Sequence, residues 1–189
     1  MDAVLVWAYS VGRAVGHIMQ SALAWYTDWR TTLDFDTVEY GGLGVHIAKP
    51  ENLSREQVGF LVSSCGESLA GVRPGDWRPE WMVIGHNTWC GDPIFTSRES
   101  PHLVFTAMHG EGSCTPKLVA PTIGLFGQCL KLFKQFAARR SSPADLEANP
   151  PTLQEQSQFL QQINGLTDGD KEPAEFWAVL IDVDLDAFN

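Results

Sequence analysis

The chain opens with an apolar pattern of helical period. Trp7, Val11, Val15, Ile18, Ala22 and Trp25 or Tyr26 recur at three- and four-residue steps, with Arg13, Gln20 and Ser21 off that face. The spacing predicts an amphipathic helix over the first 26 residues. YGGLGVHIAKP then predicts a turn followed by a short strand stopped by Pro50. In NLSREQVGFLVSSCG, Ser54 precedes a Glu-Gln pair and an apolar run, which predicts a short helix capped by Ser54. GVRPGDWRPEW is broken by Gly and Pro and predicts a loop.

From Trp81 the texture changes. WMVIGHN, DPIFTS, HLVFTAMHG and KLVAPT are short apolar or β-branched runs separated by Gly, Pro, Asn and Ser, the spacing of an antiparallel meander. After Pro121, Ile123, Phe126, Leu130 and Phe133 share one helical face, with Gln128, Lys131 and Lys134 outside it. This predicts a helix packed on the sheet. SSPADLEANPPT is expected to be a polar linker, followed by two shorter helices around 153–163 and 173–182. The resulting class is α+β: an antiparallel meander flanked by N-terminal and central helices, with a C-terminal helical acidic extension. The expected division is a domain over 1–140 and the extension over 141–189, packed on it or appended to it.

Charge sharpens that division. The chain of 189 residues carries a net −10, and residues 141–189 hold ten acids against Lys171 alone. Residues 1–140 are nearly balanced, with 13 acids and 12 bases. So acidic a chain lacks the basic surface that nucleic acid requires. With 44% apolar residues it can bury a sizeable core. Four cysteines with no CxxC pair do not suit a disulfide-framed secreted domain. The early run AVLVWAYSVG follows Asp2 and is interrupted by Arg13 and His17, unlike a secretory signal, and no run is long enough to span a membrane. The expected setting is a soluble protein of the reducing cytoplasm.

Candidate chemistry centres on WCGDPIF, residues 89–95. Cys90 as a nucleophile needs a base, such as His86 or His109, within hydrogen-bond reach. A zinc site needs Cys65, Cys90, Cys114, His86 and His109 to converge, and HGEGSC is the closest ligand spacing available. DVDLDAFN resembles the start of a calcium loop, but its sixth position is Ala187 rather than Gly. GGLG and HGEG lack phosphate-loop and dinucleotide spacing. Turn chemistry accounts better for 89–95: Gly91 can take positive φ, Asp92 can bond its own backbone ahead, and Pro93 can open a strand. The reading is therefore non-enzymatic, without cofactor or metal. The C-terminal acids are either a solvated edge, with Val183 and Leu185 inward, or an electronegative patch for a basic partner.

The order of these pieces resembles the SUKH superfamily, which includes fungal cell-wall assembly regulators and bacterial immunity proteins. The matching residues are Trp81, Val83, Ile84 and Gly85; Gly91, Asp92, Pro93, Ile94 and Phe95; then His109, Gly110, Glu111 and Gly112. A helix opening near PTIGLF follows, carrying Phe126 and Phe133. Ser113-Cys114 replaces the aromatic usual after the HG turn. The resemblance implies a domain that binds and neutralises a cognate bacterial toxin by direct contact, a nuclease being one such target. The alternative is a non-catalytic scaffold or regulatory adaptor of the same fold. Exposure and charge nominate Trp89, Asp92, Glu99 and Glu111 as contacts, with Asp182, Asp184 and Asp186 as a second surface. The C-terminal acids have one further option, folding back on Lys131, Lys134, Arg139 and Arg140.

Overall fold

Residues 24–108, 113–140 and 142–183 are described by a computed structural model. Residues 24–30 are helical (α1). The rest of the predicted N-terminal helix, with Trp7 to Ala22, lies outside the described residues. Six strands follow: β1 (Thr37–Tyr40), β2 (Leu43–Ile47), β3 (Trp81–Asn87), β4 (Pro93–Ser97), β5 (Val104–Thr106) and β6 (Lys117–Ala120). They form one sheet in the order β1-β2-β3-β4-β5-β6, every neighbouring pair antiparallel. The helices are α2 (Leu53–Glu56), α3 (Ile123–Ala137), α4 (Pro143–Ala148), α5 (Leu153–Leu166) and α6 (Lys171–Leu180). The class is α+β.

The meander from β3 to β6 and helix α3 follow the predicted pattern. β1 was not expected. TVEY pairs with β2 across Gly41-Gly42, with Tyr40 opposite Leu43 and Gly41 at φ +61°, so the glycines close a hairpin rather than merely precede a strand. Ser54 is not a cap. It sits inside α2, which follows a 3-10 turn at Pro50–Asn52 and has Asn52 at its N-cap without a side-chain bond.

Side chains alternate across the sheet and separate two apolar layers. Val45, Ile47, Met82, Ile84, Ile94 and Val104 face the main core with the buried residues of α1 and α3. Val83, Phe95 and Ala107 face a second cluster, roofed by Phe60, Leu61 and Trp77 from the long β2–β3 connection. That connection is anchored by the buried Gln57. Its amide donates to the Val83 carbonyl (2.8 Å) and accepts from the Val83 N–H (3.0 Å). The side chain thereby extends the ladder on β3 beyond Gly85, the last β3 residue paired with β2. At Gly85 the β3–β4 register shifts, and a Cβ there would lie 2.0 Å from the His46 carbonyl oxygen. Only glycine lets the two strands approach so closely.

The stretch expected as a linker is partly helical. Ser142 caps α4 by accepting the Asp145 N–H at 3.1 Å, with Pro143 in the first turn. Thr152 and Glu155 then form a capping box that starts α5. Helices α5 and α6 bury Phe159, Leu160, Ile163, Trp177 and Leu180 in the same cluster as Phe126 and Phe133 of α3. Trp177 has ring centroids 6.1 Å from Phe126 and 6.0 Å from Phe133, and its indole N–H points to the Val119 carbonyl of β6 at 3.4 Å. Residues 142–183 therefore share the core of the sheet and α3. Folding back on the basic helix occurs at its end: Glu155 accepts from Arg139 (3.1 Å) and Arg140 (3.1 and 3.2 Å). Lys134 instead binds Asp34, with both distances 2.9 Å.

Candidate functional site

Antiparallel order puts turn 41–42, turn 88–92 and the β5–β6 connection at one end of the sheet. The β2–β3 and β4–β5 connections lie at the other. This separates the nominated contacts. Trp89 and Asp92 share the first end, whereas Glu99, exposed in the β4–β5 connection, is at the second. His109, Gly110, Glu111, Asp184 and Asp186 lie outside the described residues.

The 88–92 segment is held by Asn87. Its side-chain oxygen accepts from the Cys90 N–H (3.0 Å), the Gly91 N–H (2.9 Å) and the Cys90 thiol (3.1 Å). The Asn87 N–H donates to the Asp92 carbonyl at 3.0 Å. Gly91 takes φ +78°, and Pro93 is the first residue of β4, so 89–95 is a turn that launches a strand. The Asp92 carboxylate faces backward, accepting from the Cys90 thiol (3.0 Å) and the Asn87 amide (3.5 Å). The segment presents Trp89 to solvent at 72% exposure. Trp81, by contrast, packs against the second cluster, its ring centroid 5.0 Å from that of Phe95.

The Cys90 thiol thus donates to Asp92 and Asn87 rather than to His86. His86 is engaged across β2 and α2. Its ring lies 5.0 Å from that of His46, opposite it in register, and its Nδ1 is 3.9 Å from Glu56. Burial and the neighbouring His86 hold His46 below the usual histidine range. The other cysteines are dispersed. Cys65 is exposed, burial raises the Cys114 thiol, and Cys129 in the core is pushed up to about 12. Among the described residues, no group of three or more His, Cys, Asp or Glu could hold a metal ion.

Beside the Trp89 turn runs a groove of about 710 Å³. One wall is the strand ends and their connections, with Asn87, Asp92, Thr106 and Met108; the other is α6, with Glu175 and Val179. Helix α6 crosses this end of the molecule. It starts against β6, where Glu172 accepts the Leu118 N–H at 2.8 Å, and after its last turn Asp182 adopts φ +56° and Val183 reaches the groove. Burial raises the Tyr40 phenol, Arg140 opposes the rise, and the nearby Asp182 charge adds to it. Met108 and Val179 are each 62% exposed in this groove. Trp89 is exposed as the sequence led one to expect, whereas Asp92 is half-buried and engaged by Cys90 and Asn87; the contribution of Met108 and the outer face of α6 was not visible in the sequence.

No helix among the described residues is long and apolar enough to cross a membrane. Comparison with known proteins finds no matching family model, no matching curated protein and no matching solved structure.

Proposed function

We propose that this chain is a cytoplasmic immunity protein of the SUKH kind, which binds a protein toxin and blocks it by direct contact without catalysis of its own. The observation that carries the reading is the pairing of exposed Met108 and Val179 in one groove lined by Asp92, Glu172 and Glu175, at the end of the sheet that also bears exposed Trp89. Large apolar side chains left in solvent side by side mark interaction surfaces, and Trp and Met are enriched there. An inhibitor needs such a preformed surface, and negative charge speeds its capture of a basic target.

The test is protection. The product of the adjacent gene is expressed in a sensitive host with and without this chain, and the two purified proteins are mixed and sized. Rescue of growth together with a stable complex is the expected result. A complex without rescue favours a scaffold or adaptor role and overturns immunity, as does rescue with no complex.

A further inference from the structure

Helix α6 carries a buried apolar stripe and an outer face that is part acidic and part apolar. Pro173, Trp177, Leu180 and Ile181 are buried on one side. Glu172, Glu175, Phe176 and Val179 line the groove at the i, i+3, i+4, i+7 spacing of a second face. A helix that only closed a core would not place Val179 outward beside the equally exposed Met108. The groove's charge is unbalanced: Asp92, Glu172 and Glu175 line it against Lys117 alone. Glu175 pairs with the highly exposed Lys171 at 3.5 Å, a solvated contact that leaves the carboxylate free to exchange partners.

We infer that the groove between α6 and the ends of β3–β5 receives a lysine- or arginine-bearing segment of the partner protein, seated by an apolar anchor side chain over Val179 and Met108. This rests on the immunity reading above and specifies what the toxin presents. The volume suits one or two large side chains rather than a flat contact, lying within the roughly 300–1,000 Å³ of enclosing sites. The acids steer and orient the segment, and the apolar floor holds it.

Three short fluorescent peptides test the groove on the full chain by polarisation: a lysine-flanked Leu-Phe pair, the same pair flanked by glutamates, and a lysine-flanked Ser-Ser pair. The first is expected to bind about tenfold more tightly than either other. Val179→Ser is expected to weaken it about fivefold at every salt concentration, and Glu175→Gln mainly at low salt. Equal binding of all three, or a preference that both variants leave unchanged, overturns the inference. Growth protection that persists when the peptides show no preference rejects the groove and leaves immunity standing. Peptide selectivity without any neutralised toxin does the reverse.

Discussion

Trp177→Ala tests whether residues 142–183 belong to one cooperative unit with the sheet. The indole is fully buried, packed against Phe126 and Phe133 of α3, with its N–H aimed at Val119 of β6. Removing a buried Trp costs about 3–5 kcal/mol through lost transfer energy and the cavity left behind. The long hydrogen bond adds at most about 1 kcal/mol. Near 4 kcal/mol in total, a chain of this size loses about 2–4 °C per kcal/mol, so the melting temperature should fall by roughly 8–16 °C. Trp177→Phe keeps most of the apolar volume and should lose about a third of that. The assay is thermal unfolding followed by near-UV circular dichroism and by calorimetry. A single transition that moves as a whole is expected. A shift within about 2 °C for Trp177→Ala, or two wild-type transitions of which only one responds, would refute the shared core.

The junction of α3 with α5 gives the next prediction. The Arg140 side chain, 5% exposed, donates to the Asn149 carbonyl and to Glu155. Arg140→Met should therefore destabilise by about 2–4 kcal/mol, short of a fully buried pair because Glu155 stays partly solvated; chemical denaturation measures it. Hydrogen bonds from Thr152 first, then Arg140, hold the Glu155 carboxyl down at about 2 against an ordinary 4.5. Its folded value lies below the unfolded one, so its contribution is complete above about pH 4.5 and lost as pH falls toward 2. Melting temperature should drop over that window, and Glu155→Gln should flatten this part of the profile; an unchanged slope refutes the assignment. Gly85→Ala drives a Cβ into the His46 carbonyl and should cost about 2–3 kcal/mol, a cost that a neutral melting result would rule out.

What the sequence shows plainly is whatever declares itself within a few residues. β3 to β6 are short apolar or β-branched runs bounded by Gly, Pro and Asn, and α3 keeps its helical period through Ile123, Phe126, Leu130 and Phe133. β1 has just two inward residues, Val38 and Tyr40, beside a conspicuous glycine pair, too short a pattern to stand out. Helix α4 buries none of its residues, so it has no apolar period; its signals were Ser142 and Pro143, which also read as linker. Gln57 was invisible as an anchor because Val83, its partner, is 26 residues away. Ser54 looked like a cap because nothing local shows that Pro50 has already begun the turn.

The C-terminal acids illustrate the remaining limit. Counted along the chain, they form one charged quarter that either stays solvated or recruits a partner. In the fold they divide by geometry. Glu155 is consumed by Arg139 and Arg140, and Glu172 is tied to the Leu118 backbone. Because Pro173, Trp177, Leu180 and Ile181 must face the core, the helical period turns Glu172, Glu175 and Val179 toward the ends of strands whose residues lie far away in sequence. Neither half of the groove is a pattern by itself. Packing that seats Trp177 is what brings the acidic, apolar outer face of α6 beside Asp92 and Met108, so the candidate partner surface is a consequence of the core.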